Sequence, residues 1–300
     1  MSDFTSDFWS YYVAVITVVS ILACAVLLWT MTSKPVPGKK TEVMGHVWDG
    51  DLEEYNNPMP NWWRWLFYIT IVFGLGYLVV YPGLGSFPGT FKWTSTGQYE
   101  NEQARATERF GPLFSKYAAM EIPTVAADPQ AREIGQRLFL NYCAQCHASD
   151  ARGSRGYPNL ADNDWLWGSD PATIKASIVN GRNGIMPPFG AILGDDGVKD
   201  TAHYVLSLSG LTHDSLRAAH GKELFAANCA ACHGGEGKGN PALGAPNLTD
   251  KTWLYGGGET SIAETIRKGR NNHMPAWGDF LGDAKAHVLA AYVWGLSNAK

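Results

Sequence analysis

Two long uncharged apolar stretches stand in the first third of the chain, and nothing like them follows. Positions 11–31 hold 21 residues without a charge, rich in Val, Ile, Leu and Ala. At 1.5 Å of rise per residue, a helix of that length spans a hydrocarbon core of about 30 Å. Trp9, Tyr11, Tyr12 and Trp29 stand at its two ends, where amphipathic rings favour the membrane–water interface. A secretory signal peptide would have basic residues in front and a shorter apolar run, and this stretch has neither. The second run, 65–81, has 17 uncharged residues introduced by Trp62, Trp63 and Arg64. It is at the short limit for a span, with a buried core helix as the competing reading. The pattern therefore predicts a tail at 1–10, a membrane helix at 11–31, a loop at 32–61 and a second membrane helix at 62–81. The segment 82–127 reads as a connector, opening on the turn-rich Pro82-Gly-Leu-Gly-Ser-Phe-Pro-Gly89.

From 128 onward the pattern changes to short helical runs separated by glycine, proline and asparagine. Asp128-Pro-Gln-Ala has a cap residue and an early proline, and predicts a helix running through Leu138, Phe139 and Tyr142. Thr212 or Asp214 opens its counterpart, which carries Leu216, Leu224 and Phe225. Further helices are predicted at 172–180, 198–208, 261–268 and 284–296, and strand signals are sparse. The fold class is read as all-α: two transmembrane helices followed by two small tandem domains, 128–211 and 212–300.

Those two domains are a repeat. Gly135-Gln-Arg-Leu-Phe-Leu-Asn-Tyr-Cys143 answers to Gly221-Lys-Glu-Leu-Phe-Ala-Ala-Asn-Cys229. Pro158-Asn-Leu160 answers to Pro246-Asn-Leu248, Trp165-Leu-Trp167-Gly168 to Trp253-Leu-Tyr255-Gly256, and Gly181-Arg182-Asn183 to Gly269-Arg270-Asn271. At the centre of each copy is the string Cys-x-x-Cys-His, as Cys143-Ala-Gln-Cys146-His147 and Cys229-Ala-Ala-Cys232-His233. Two thiols at this spacing bond covalently to the two vinyl groups of one porphyrin, and the histidine then lies under the iron, so the string is the attachment signature of a c-type haem. Zinc would need four ligands, and a redox dithiol would not need the histidine. Two covalent haems c are expected, with Cys143 and Cys146 holding one and Cys229 and Cys232 the other, in class-I-like cytochrome c domains. His147 and His233 would ligate the irons. The fifth cysteine, Cys24, lies in the first apolar run and reads as a small buried hydrophobe.

Met186 and Met274 hold equivalent places, each before a proline. A lone methionine is usually a core filler. A matched pair in two haem repeats reads as the sixth ligands, which raise the potential and close the iron to external ligands. That points to electron transfer and leaves no catalytic residue to assign. Arg182 and Arg270, also matched, are candidate propionate partners, against the reading of solvated loop arginines. Trp165, Trp167, Trp253 and Tyr255 could donate to propionates, with packing on the porphyrin as the default. His203, His213, His220 and His287 have no matching partner and read as ordinary polar or helix-surface residues, and His273 is not expected to be a ligand.

Charge adds orientation. The formal net charge of −4 shows no nucleic-acid footprint. Residues 1–10 contain no lysine or arginine, whereas the loop between the spans carries Lys34, Lys39 and Lys40, with Arg64 at its edge. The positive-inside rule puts that loop in the cytoplasm and both ends of the chain outside, on the side where bacteria attach c-type haems.

The string His46-Val-Trp-Asp-Gly-Asp-Leu-Glu-Glu-Tyr-Asn-Asn-Pro-Met-Pro-Asn-Trp-Trp63 resembles the cytoplasmic loop of the dihaem CcoP subunits of cbb3-type cytochrome c oxidases. Tyr77-Leu-Val-Val-Tyr-Pro-Gly-Leu-Gly85 and both haem repeats continue the likeness over nearly the whole chain. The resemblance implies a two-pass subunit of the bacterial inner membrane with its haem domains in the periplasm. It implies a soluble periplasmic cytochrome c as donor, and as partners a monohaem cytochrome subunit and a catalytic subunit with b-type haem and copper that reduces oxygen. Family descriptions can pair each methionine with the other repeat's haem, whereas local fold logic favours each repeat using its own. Spacing does not decide between them. Two other classes remain beside the oxidase subunit: an independent membrane-anchored dihaem carrier, and a dihaem peroxidase, which would need an open sixth position.

Overall fold

A computed structural model describes residues 4–32 and 41–298. Lys34, Lys39 and Lys40, on which the orientation of the loop rests, lie outside the described residues. The chain divides into two compact units, 1–108 and 109–300, each described by itself.

The first unit holds α1 (Asp7–Met31) and α2 (Asn61–Val80), both long and apolar enough to cross a bilayer. No described residue of α2 is buried, which excludes the reading of a soluble core helix. Cys24 is exposed on α1, so the expected buried position is corrected: it lies on a bare apolar face. Behind α2 the chain turns back, and the backbone N–H of Ser86 donates to Ser10 Oγ at the start of α1 (2.8 Å). Between the spans stands an antiparallel hairpin, β1 (Val43–Trp48) and β2 (Leu52–Tyr55). Its turn has Asp49 and Gly50 at positive φ, the conformation that Asp-Gly favours between strands. The all-helical expectation is corrected here, and again below. Asp49-Gly50-Asp51 between Trp48 and Leu52 was the signal that could have shown it.

The helix α3 (Ser95–Ala118) leads into the second unit, which contains both repeats. From the first come α4 (Ile122–Ala127), α5 (Pro129–Tyr142), α6 (Ala144–His147), α7 (Pro171–Asn180), β3 (Arg182–Met186) and α8 (Gly190–Leu208). From the second come α9 (Ser215–Asn228), α10 (Ala230–His233), α11 (Glu259–Lys268), β4 (Arg270–Met274), α12 (Gly278–Leu281) and α13 (Asp283–Asn298). Two caps form as their residue types dictate. The Asp128 carboxylate accepts from the N–H groups of Gln130 and Ala131, and Asp214 accepts from those of Leu216 and Arg217. Non-helical Gly194 kinks α8 at the position equivalent to Gly282, which separates α12 from α13.

The packing lobes are not the sequence repeats. Lobe I joins α4, α5 and α7 to α12 and α13, around Phe139, Val125, Ile174, Val288 and Leu289. Lobe II joins α9 and α11 to α8, around Phe225, Ile262, Ile266, Val198 and Val205. The closing helix of each repeat therefore completes the other repeat's core. Burying each of these Val, Leu or Ile side chains contributes about 1.5–3 kcal/mol, so the exchanged helices are integral to both cores. Equivalent glycines permit the two crossings: a Cβ at Gly135 of α5 would fall 2.5 Å from Tyr292 Cβ of α13, and one at Gly221 of α9 would run into the Asp200 carbonyl of α8. The exchange is carried by one antiparallel ribbon of β3 and β4, in the register Arg182 opposite Met274 and Met186 opposite Arg270.

Candidate haem centres

The two Cys-x-x-Cys-His strings form equivalent single turns, α6 and α10, each continuing from the last residues of the preceding helix. Their histidines are buried, His147 among the first repeat's elements and His233 among the second's. Each Nδ1 lies against a proline carbonyl, His147 on Pro158 at 3.0 Å and His233 on Pro246 at 3.1 Å. A carbonyl can only accept, so Nδ1 carries the proton and donates. Nε2 is left with its lone pair, the atom an axial ligand needs. Burial lowers the pKa of both imidazoles, with the proline bond opposing it, and so favours the neutral, ligating form. The prolines of the two Pro-Asn-Leu strings thus have a role that the sequence reading did not assign. Burial pushes the thiols of Cys143 and Cys229 up to about 11, with a smaller contribution from Cys146 and Cys232.

The methionines are exchanged along with the closing helices. Met274 packs on the core of lobe I, with Phe139, Cys143, Leu160 and Trp165. Met186 packs on the core of lobe II, with Phe225, Cys229, Leu248 and Trp253. The ribbon reverses direction between the lobes, so the two methionines sit at its opposite ends.

Arg182 and Arg270 are not free loop arginines. Arg182 lies over Trp167 (4.8 Å to the ring centre) and its Nε donates to Ser177 Oγ at 2.8 Å. Arg270 lies over Tyr255 (4.0 Å) and donates to Thr265 Oγ1 at 2.7 Å. The Tyr255 hydroxyl meets Asn272 Oδ1 on β4.

Trp253 offers a donor that a porphyrin carboxylate would satisfy. Its indole Nε1 is buried and has no hydrogen-bond partner among the described residues. Gly257 backs onto it so closely that any Cβ there would fall 2.7 Å from Nε1. A buried N–H without an acceptor costs about 1–3 kcal/mol, and an acidic acceptor placed there would remove that cost. The residues present fit the group. A cleft of about 550 Å³ opens beside Trp253, lined among others by Asp162, Asp164, Thr252 and Tyr255. The Asp164 carboxyl is held above the usual carboxylate range, first by burial and then by the charges of Asp250 and Asp162.

Three histidines expected to be ordinary behave in different ways. His287 is buried in α13, its Nε2 on the Met120 carbonyl at 2.9 Å, so the surface reading is corrected. His203 is also largely enclosed and accepts the Asp214 N–H on Nδ1. His220 is exposed, as expected.

Comparison with known proteins agrees with this geometry. The sequence model of the family described as "Cytochrome C oxidase, cbb3-type, subunit III" matches residues 130–205 and 216–293. The model described as "N-terminal domain of cytochrome oxidase-cbb3, FixP" matches residues 40–88. The chain is similar to the cbb3-type cytochrome c oxidase subunit CcoP of Rubrivivax gelatinosus, with 51% identity covering 99% of this chain and 97% of that protein. It is 38% identical to CcoP of Cereibacter sphaeroides over 90% of this chain and 100% of that protein. It is 40% identical to FixP of Azorhizobium caulinodans over 85% of this chain and 93% of that protein. With a Cys-x-x-Cys-His turn in each repeat and this identity over nearly its full length, the chain belongs to the CcoP/FixP family of cbb3-type cytochrome c oxidase subunits.

Proposed function

We propose that this subunit is a membrane-anchored dihaem electron relay. It takes electrons from a soluble periplasmic cytochrome c and delivers them, through a monohaem cytochrome subunit, to the catalytic subunit with b-type haem and copper. Cys143 and Cys146 would hold one haem c, with His147 as its axial ligand, and Cys229 and Cys232 the other, with His233. A covalently held haem, when bound, supplies a one-electron iron centre. The protein's part is to fix and close that centre. The proline carbonyls orient each imidazole, and the thioethers of Met186 and Met274 would serve as the further ligands, favouring the reduced state. Trp253 would donate to a propionate, with Arg182, Arg270 and Trp165 as further partners.

The observation that carries this reading is the β3–β4 ribbon. It delivers Met274 to the lobe of His147 and Met186 to the lobe of His233, supporting crossed ligation: Met274 for the first motif's haem and Met186 for the second's. Matched closed centres suit transfer rather than peroxide chemistry. The bare apolar faces of α1 and α2 suit lipid and neighbouring helices, and the lysine-bearing loop suits the cytoplasmic side, which leaves the second unit in the periplasm. Purification from detergent-solubilised membranes tests the proposal. The chain should carry two covalent haems and co-purify with subunits containing b-type haem and copper, in a preparation that consumes oxygen. A chain that purifies alone with full electron-transfer activity would instead be an independent carrier.

A further inference from the structure

The loop that anchors each axial histidine ends against the other repeat. Residues 153–158 are clamped to His147 twice: the Gly153 N–H donates to its backbone carbonyl (2.8 Å), and its Nδ1–H donates to the Pro158 carbonyl (3.0 Å). Residues 239–246 hold His233 in the same way, through Gly239 (2.8 Å) and Pro246 (3.1 Å). Between its clamps each loop has a glycine at positive φ, Gly156 at +90° and Gly244 at +65°. Gly244 lies so close to Trp167 of the first repeat that a Cβ there would fall 2.3 Å from Cζ2. Gly156 takes the matching place in the second repeat. Its N–H donates to the Leu254 carbonyl at 2.8 Å, and a Cβ would fall 3.4 Å from Cε1 of Tyr255. Glycine is what lets a backbone in the left-handed conformation come this near a ring. Both rings then reach the ribbon at one place. A Cβ at Gly184 would lie 3.9 Å from Trp167 Cζ2, the Tyr255 hydroxyl meets Asn272, and Gly184 and Asn272 are direct partners across the strands.

Resting on the relay reading above, we propose that Trp167 and Tyr255 are positioning residues for electron passage between the two centres. Each ring is the seat for the loop that orients the other repeat's axial histidine, so the two seats fix one histidine turn relative to the other. In the step they serve, a single electron leaves one centre and reduces the other. No bond forms or breaks, and no proton or further reactant is required. The rate of such a step falls steeply with separation, so a rigid spacing serves it directly. The rings are themselves held. Arg182 covers Trp167 and Arg270 covers Tyr255, and the attraction of a guanidinium for a ring face keeps each ring in place, with each arginine tied in turn to Ser177 or Thr265. A single seat would let the lobes rock about it. Two seats, joined at the middle of the ribbon, do not.

The full-length chain with both haems bound, purified in detergent, gives two readouts. Pulsed dipolar EPR of the oxidised chain measures the separation of the two centres, and flash reduction measures the rate at which an electron redistributes between them. Wild type should show one narrow separation. Trp167→Ala should broaden it and slow the redistribution by on the order of tenfold, within the hundredfold that about 1 Å of misplacement can cost. The absorption spectra and midpoint potentials of both haems should stay as they were. Tyr255→Ala should act alike, and Trp167→Tyr, which installs the ring of the other repeat, should restore both readouts. Should Trp167→Ala not fold, Trp167→Leu keeps apolar bulk without the flat seat and carries the same expectation. The proposal is overturned if loss of the Trp167 ring leaves separation and rate unchanged, or if the rate falls only as far as a shifted midpoint potential explains. It is also overturned if Trp167→Tyr behaves like Trp167→Ala. A wild-type chain that carries two haems yet passes no electron between them would strike the relay reading itself.

Discussion

Arg182 on β3 stands directly opposite Met274 on β4, and at the other end of the ribbon Arg270 stands opposite Met186. Each arginine stays tied to a helix of its own repeat, Arg182 to Ser177 on α7 and Arg270 to Thr265 on α11. The methionine facing it arrives from the other repeat. The ribbon is thus the hinge of an exchange that carries each methionine to the lobe holding the other repeat's Cys-x-x-Cys-His turn.

Replacement of the methionines should therefore act crosswise. In Met274→Leu, the haem on Cys143 and Cys146 should lose potential by on the order of 100 mV, within the roughly 0.8 V that axial ligation spans. It should also become open to carbon monoxide. Potentiometry of Met274→Leu combined with Cys229→Ala and Cys232→Ala, which leaves only the first haem, isolates the effect. If the remaining haem titrates normally there, each repeat keeps its own methionine.

A chain ending after Gly282 keeps the whole first repeat yet lacks α13. Lobe I should fail to close, while lobe II, whose core contains no α13 residue, stays folded. Limited proteolysis should cut within 122–180 and spare 190–268. Equal resistance of the two regions would contradict the exchanged packing.

Gly135→Ala and Gly221→Ala place a methyl group where a helix from the other repeat crosses. Overpacking of this kind costs about 1–3 kcal/mol. Thermal melts followed at each haem should show Gly135→Ala weakening the centre completed by α13, and Gly221→Ala the one completed by α8.

Asp164 titrates against stability. Its carboxyl is raised in the folded chain by burial, and then by Asp250 and Asp162, so the folded state favours the proton more than the unfolded state does. The cost of holding the charge is absent below the ordinary carboxylate value of 3.8, grows through the raised value and is complete above it. Asp164→Asn should therefore melt slightly higher than wild type at pH 7, with the gain vanishing as the pH falls toward 3.8. A gain independent of pH would assign the effect to something other than charge.

The repeat, the Cys-x-x-Cys-His turns, both long apolar helices and the two aspartate caps were legible because each rests on local chemistry: a fixed spacing, an unbroken apolar run, a carboxylate before a helix. The exchange was not legible, because the repeats are alike. Val198 and Val205 on α8 offer the same kind of apolar face as Val288 and Leu289 on α13, so either helix satisfies either core by composition. What decides is the ribbon, and Arg-Asn-Gly-Ile-Met and Arg-Asn-Asn-His-Met lack the β-branched alternation that announces a strand. His287 was misplaced for a related reason. Its partner is the Met120 carbonyl, remote in sequence, and no periodicity reports such a contact.

The exchange also reverses an order in time. A chain made from its first residue onward delivers the Cys143 motif well before the Cys229 motif. Lobe II needs nothing beyond α11 and the β4 strand, whereas lobe I must wait for α13, the last element of all. The motif that emerges first is therefore the last to be enclosed, with Cys143 and Cys146 left open until α13 has packed.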